Sequence, residues 1–218
     1  MTKKEILKKL PKLKEIKGEN IKSFKIIQLG IGALGSQLIG CIAPDVRNTV
    51  EITVLDYDKV EERNLLGTQY YTEAVNNMLK TEALQYLIYK NYGIEVNIIT
   101  EKLTNENISL LSNFDLIVDT FDNYDSRKLV QDYCISYNLE VIHIGFNPQF
   151  TFSIEFKDNY TIPTDLINAP DICEMEGVSS FVKLVASIGS LVIQNYLKTR
   201  EKMEIIGNKF NIKNCLRN

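Results

Sequence analysis

Apolar runs recur along the chain at a regular beat, each short enough for a strand and separated from the next by residues at helical spacing. The first, Ile26-Ile27-Gln28-Leu29, predicts a strand over 25–30, followed by a helix over 33–43. Further strand-like runs fall near 51–55, 94–99, 114–119 and 140–145. Between them Val75, Met78, Leu79 and Leu87 share one face of a helix over 74–92, and Leu129, Val130 and Tyr133 do so over 124–137. Strands alternating with helices predict an α/β fold, Rossmann-like and doubly wound, with a mainly parallel sheet covered on both faces.

The beat changes after Gly145. Phe150, Phe152, Ile154 and Phe156 alternate with polar residues, and Asp158-Asn159 offers a turn before Tyr160 and Ile162, which predicts an antiparallel hairpin extension. A loop from Pro163 to Val178 then leads to a long final helix with one apolar stripe, Phe181, Leu184, Val185, Ile188, Leu191 and Val192. With no internal repeat or low-complexity linker, the predicted organisation is a lysine-rich helical arm over 1–24, one domain over 25–200 and a C-terminal tail over 201–218.

At 218 residues and 44% hydrophobic content the chain can bury a full core. No stretch approaches the roughly 18 apolar residues needed to span a bilayer. The lysine-rich start also lacks the apolar segment and cleavage site of a signal peptide, so a cytoplasmic location without membrane contact is expected. The net charge of −3 conceals an asymmetry, because residues 1–25 hold nine lysines against three glutamates. One reading is a basic arm for a nucleic acid or an acidic partner; the other is an amphipathic surface helix with Ile6, Leu10 and Leu13 inward. The second is preferred, and no nucleic-acid partner is expected, since no aromatic or arginine interleaves the lysines of residues 3–17.

Cysteines stand at 41, 134, 173 and 215 without a C-x-x-C pair, so neither structural zinc nor a disulfide is expected. Cys41 and Cys134 fall in helical apolar patterns as small core residues. His143, the one histidine, lies within Val141-Ile142-His143-Ile144 and reads as a core or sheet-edge group rather than a catalytic one.

Candidate chemistry begins at Gly30-Ile31-Gly32-Ala33-Leu34-Gly35, between the first strand and its helix. Such a turn sets unpaired N–H groups and the positive end of a helix dipole where a phosphate can sit. The first glycine permits the turn, the second lets a ligand approach, and the third lets helix and strand pack closely. Asp56-Tyr57-Asp58 ends the second strand, where a carboxylate can accept from ribose hydroxyls. More specific than the glycines are Asp56-Tyr57-Asp58-Lys59-Val60-Glu61-Glu62-Arg63-Asn64-Leu65, Lys80, and Asp119-Thr120-Phe121-Asp122-Asn123 with Arg127. Taken singly, these residues have plainer readings as strand ends, caps and solvated faces; their joint order favours a site.

In these segments, over about residues 20–200, the chain resembles the ThiF/MoeB/HesA family, prokaryotic relatives of ubiquitin-activating enzymes. The resemblance implies adenylation of the C-terminal carboxylate of a small ubiquitin-like or sulfur-carrier protein with a Gly-Gly-type end, using ATP and magnesium, in a homodimer. It implies that Gly30, Gly32, Ala33, Leu34 and Gly35 cradle the nucleotide, that Asp56 and Asp58 lie at the ribose side, and that Asn64 and Lys80 lie at the phosphates. Asn123 and Arg127 would stand beside them, with Asp122 at magnesium. Lys80, Arg63, Arg127 and the metal would offset the charge that gathers when a carboxylate meets the α-phosphate.

Cys173, in a C-x-x-x-G-V pattern, matches a family cysteine that takes up the activated carboxylate or takes part in sulfur transfer; a plain loop cysteine is the alternative, and Asp171 and Glu174 disfavour its thiolate. The chain departs from the family where many members read N-L-x-R-Q. Here Asn64-Leu65-Leu66-Gly67-Thr68-Gln69 replaces the arginine and displaces the glutamine by one, with Arg63 the cation nearest to stand in. The arm offers only lysines where family dimers often send an arginine into the partner's site. Two other readings stay open: an NAD(P)-dependent oxidoreductase, which shares the glycine turn and ribose carboxylate, and a non-catalytic relative that binds nucleotide or carrier.

Overall fold

The computed structural model describes residues 24–47, 49–65, 68–75, 77–164, 175–208 and 211–214, with the backbone alone for 212–214. Cys173, Cys215, Gly67 and the predicted arm up to residue 23 lie outside the described residues.

Among the described residues eight strands make one sheet: β1 (Phe24–Leu29), β2 (Val50–Leu55), β3 (Asn97–Ile99), β4 (Leu116–Asp119), β5 (Val141–Phe146), β6 (Thr151–Phe156), β7 (Ile205–Asn208) and β8 (Asn211–Asn214), in the order β3-β2-β1-β4-β5-β6-β7-β8. The first five run parallel and the last three continue antiparallel. Among the described residues four α-helices cover it: α1 (Ala33–Val46), α2 (Lys80–Tyr92), α3 (Tyr124–Ser136) and α4 (Val178–Thr199).

Alternation within the strands feeds two cores. Ile26, Ile52, Val54, Leu116 and Val118 face α1, α2 and α4, and Ile27, Leu29, Leu55 and Ile117 face Val130 and Cys134 of α3 and the short 3-10 turn Ile108–Asn113. A period of two on strands buried on both faces explains why these runs are apolar throughout. Each fully buried leucine or isoleucine, such as Ile27 or Leu38, contributes about 1.5–3 kcal/mol over its exposed state.

Register places the site. Leu29 lies opposite both Leu55 and Asp119, so β1, β2 and β4 end level and release Gly30, Asp56 and Thr120 at one edge. The chain winds from β1 toward β3 on one side and from β4 toward β5 on the other, which opens a crevice at the carboxyl ends of β1 and β4.

Four expectations change. The helix predicted over 74–92 begins only at Lys80: Thr72–Ala74 forms its own 3-10 turn, Met78 C=O accepts Val60 N–H at 3.0 Å, and Leu79 bridges Lys59. These pairings hold 78–79 extended, and Glu82 Oε2 then caps the helix by accepting Leu79 N–H at 3.2 Å. β6 does not fold back on Tyr160 and Ile162; its partners are β5 and β7, because Tyr160 stacks on His143 instead. Residues 201–218, expected to be a tail, contain β7 and β8, which extend the sheet. Finally, where no stretch was expected to be apolar enough to span a bilayer, α4 is 22 residues long and apolar enough by length and composition to cross a membrane. Half of that span is buried within the fold, where Val182, Val185, Ala186 and Ile193 pack in the core shared with α1.

Candidate functional site

The turn after β1 is pinned peptide by peptide. Gly30 has φ of +75°, a conformation glycine takes without strain. Its N–H donates to Leu55 O at 2.9 Å and its C=O accepts Thr120 Oγ1 at 2.6 Å. At Gly32 a Cβ would meet nothing within 4 Å, so this wall is open to a ligand. At Gly35 it would fall 2.1 Å from Gly30 O and 2.6 Å from Gln28 Nε2, so only glycine lets α1 lie this close to β1. The first bond of the α1 ladder runs from Ser36 N–H to Gly32 O at 3.1 Å. The N–H groups of Ala33 and Leu34 precede that ladder, at the positive end of the helix dipole.

A carboxylate pair faces this turn. Asp56 accepts Ile31 N–H through Oδ2 and Asp58 N–H through Oδ1, both at 2.9 Å. Burial pushes Asp56 above the ordinary carboxylate pKa, against the opposing pull of Lys80 and the two amides. Lys80, the first residue of α2, is tied to Asp58 twice: its Nζ donates to Oδ2 and its N–H to the C=O, each at 2.8 Å. Burial alone would lower Lys80, but Asp56, Asp58 and Asp122 outweigh it and hold the ammonium above the usual lysine value. In the connecting loop Arg63 Nε donates to Glu61 Oε2 at 2.6 Å, and buried Asn64 accepts Glu61 N–H at 2.9 Å. Gln69, the displaced glutamine of the family pattern, fills the space over Gly40 of α1 and donates its N–H to Ser36 Oγ at 3.3 Å.

The end of β4 supplies the opposite wall. Asp119 Oδ1 accepts Phe121 N–H at 3.0 Å, and Asn123 caps α3 by accepting Ser126 N–H at 2.9 Å. Arg127 reaches back from α3, donating through Nε to Phe121 O at 2.6 Å and through Nη1 to Tyr160 Oη at 2.9 Å, while its guanidinium lies against Gly145. Beneath, buried His143 has Nδ1 2.7 Å from Asp119 Oδ2 and Nε2 2.7 Å from Gln131 Oε1, with its ring stacked on Tyr160. The lone histidine is a partnered group under the β4 loop. Burial pushes the Tyr160 phenol up to about 12, against the pull of Arg127.

These walls enclose one cavity of about 810 Å³. Every sequence-predicted site residue among those described lines it except Gly35, whose role is to pack α1 on β1. Lys102, Leu103, Thr104 and Asn105 also line it and carried no signal in the sequence; they arrive because β3 runs parallel to β2 and releases its chain at the same edge. Lys102 Nζ lies 5.6 Å from the ring centroid of Tyr57 at this rim. Asp122 is on the cavity wall within electrostatic reach of Lys80. One exposed carboxylate fits a magnesium ion carried in with phosphates, since magnesium usually takes one or two protein carboxylates and completes its shell from substrate and water.

A family model described as the ThiF family matches residues 5–216. The chain belongs to the ThiF family. The match runs through the segments set apart in the sequence as an arm and a tail. Among curated proteins, the adenylyltransferase and sulfurtransferase MOCS3 of Anopheles gambiae is 35% identical over 117 residues, 53% of this chain and 26% of that protein. The probable molybdopterin-synthase adenylyltransferase of Porphyra purpurea is 30% identical over 203 residues, 87% of this chain and 51% of that protein. This ThiF-family chain therefore spans about a quarter to a half of the length of these relatives. Among solved structures, Escherichia coli MccB with MccA-N7isoASN superposes with a TM-score of 0.67 at 18% identity, covering 89% of this chain and 64% of that one. E. coli MccB with ATP gives 0.62 at 17% identity, covering 88% and 62%. At such identities the likeness is one of fold.

Proposed function

We propose that this ThiF-family chain is an adenylyltransferase that activates the C-terminal carboxylate of a small ubiquitin-like or sulfur-carrier protein with ATP and magnesium, as a cytoplasmic homodimer. The observation that carries the reading is that the glycine turn, Lys80 and Asp122 share one cavity at the carboxyl ends of β1, β2 and β4. The names of the matched adenylyltransferases and the ATP complex of the structurally similar MccB support it.

In the reaction, a carrier carboxylate oxygen bonds to the α-phosphorus of ATP, the bond from that phosphorus to the bridging oxygen breaks, and pyrophosphate leaves. Two anions must meet, so the first requirement is fixed positive potential. The open amide wall at Gly32 and the start of α1 face the phosphates, and Lys80 exchanges part of its hold on Asp58 for a phosphate oxygen. Asp56, already bound to two amides, keeps lone pairs for a ribose hydroxyl. Asp122 would hold magnesium, which when bound would supply neutralisation of phosphate charge. The carrier's C-terminal tail approaches the phosphates past Gly145, which the Arg127 guanidinium covers, and an end without side chains, Gly-Gly, suits so crowded a passage. Transfer of the activated carboxylate to Cys173, as thioester or in sulfur transfer, rests on the C-x-x-x-G-V pattern.

The test is ATP–pyrophosphate exchange in the presence of candidate carriers ending in Gly-Gly. Exchange that depends on both carrier and magnesium is the expected result. A protein that binds NAD but neither ATP nor a carrier overturns the reading, and carrier binding without exchange reduces it to a non-catalytic one.

A further inference from the structure

Within the glycine turn, four hydrogen bonds fix the peptide groups of Gly30 and Ile31, and one of them comes from a residue that does not line the cavity. Three are local to the ends of neighbouring strands: Gly30 N–H on Leu55 O, Ile31 N–H on Asp56 Oδ2, and Thr120 Oγ1 on Gly30 O. The fourth is the hydroxyl of Tyr70, which donates to Ile31 O at 2.5 Å from 39 residues away in the chain. We propose that Tyr70 is a positioning residue for nucleotide binding: by holding the Ile31 carbonyl outward it aims the N–H of Gly32, in the same peptide unit, at the phosphates.

The geometry follows from the planar trans peptide, in which C=O and N–H point in opposite directions. Fixing Ile31 O on Tyr70 therefore fixes the direction of Gly32 N–H, and Gly32 is the open, cavity-lining glycine. With Ile31 N–H held by Asp56, the peptides on both sides of Ile31 are clamped before any ligand arrives. Tyr70 is itself held. Its N–H donates to Thr68 Oγ1 at 3.1 Å, and Thr68 Oγ1 donates in turn to the C=O of Asn64, a cavity residue. The ring is buried at 6% exposure. Burial, with Asp56 and Asp58 nearby, keeps the phenol well above the ordinary tyrosine pKa, so the hydroxyl remains an O–H donor. The chain thus links the Asn64 loop to the glycine turn through backbone carbonyls and two hydroxyls.

The inference rests on the reading of the cavity as an ATP site, and the experiment separates the two. Tyr70→Phe keeps the ring and removes the donor. Affinities of parent and variant for ATP, AMP and adenosine are measured by calorimetry. Parent binding of ATP with a roughly five- to tenfold loss for ATP and AMP in the variant, and unchanged adenosine binding, is the expected result. Equal weakening of all three, or no weakening, overturns the positioning role, since a general packing effect does not single out phosphate. Failure of the parent to bind ATP or AMP overturns the ATP reading and the inference with it. Should Tyr70→Phe fail to fold, Thr68→Val, which withdraws the acceptor that seats Tyr70, is read by the same three ligands and the same outcomes.

Discussion

Lys80 is surrounded by acid: Asp58 holds its ammonium directly, and Asp56 and Asp122 add to the field. Replacing it with methionine leaves these carboxylates without their cation and takes from the cavity the charge best placed for a phosphate. Lys80→Met is expected to lower pyrophosphate exchange at least about 100-fold, read in the same exchange assay. The pKa direction makes a second expectation. The folded value lies above the unfolded one, so the pair's stabilisation is fully present below the unfolded lysine value of about 10.4 and is lost as pH rises through the higher folded value. Urea midpoints measured from pH 9 to 11.5 should therefore fall more steeply in the parent than in Lys80→Met. The presence of a lysine near an aspartate motif was legible in the sequence. Its pairing with Asp58 was not, because that contact spans 22 residues and depends on where α2 begins.

The first glycine-rich element shows how one motif divides its work between stability and binding. Gly35→Ala would drive a methyl into Gly30 O and Gln28 Nε2, neither of which can retreat without moving β1 or emptying a buried hydrogen bond to Gly35 O. A loss of about 3 kcal/mol is expected in chemical denaturation. Gly32→Ala meets open space at φ −69° and ψ −148°, at the N-cap of α1 where alanine is less favoured than glycine, so its stability loss should stay within about 1 kcal/mol, well below that of Gly35→Ala. The same methyl enters the cavity, so ATP affinity should drop; equal stability losses in both variants would refute this division. The helix after β2 is a different lesson. Periodicity placed its start at 74, yet extended pairing of 78–79 with the Lys59–Val60 loop delays it to Lys80 and brings that lysine to the cavity rim.

At the scale of the molecule, the final strands complete the sheet. Glu204, just before β7, accepts Phe156 N–H at 3.1 Å and Asn159 Nδ2 at 2.9 Å, and Lys202 pairs with Asp158 and Glu140. Deleting residues 201–218 removes these partners and exposes the apolar edge of β6. Size-exclusion chromatography of the truncated chain should show aggregation where the full chain elutes as a discrete species; a well-behaved truncated protein would mean that β7 and β8 are dispensable to the fold. This part of the sheet was hidden in the sequence because Ile205 and Ile206 form too short an apolar run to announce a strand, and their partner β6 lies about 50 residues back.

The sequence by itself determined the local demands: a left-handed residue at Gly30, no side chain at Gly35, a cap at Asn123, and strands apolar on both faces separated by helices. Such features depend on neighbours within a turn or a pleat, so their residue types suffice to reveal them. Tertiary structure alone decided that Tyr70 holds Ile31, that Tyr160 leaves the sheet to receive Arg127, and that the loop after β3 closes the cavity. Each of these contacts joins segments far apart in the chain: the level endings and parallel order of β1 to β4 bring the first and last to one edge, and the pairing of β5 with β4 and β6 brings Tyr160 to Arg127.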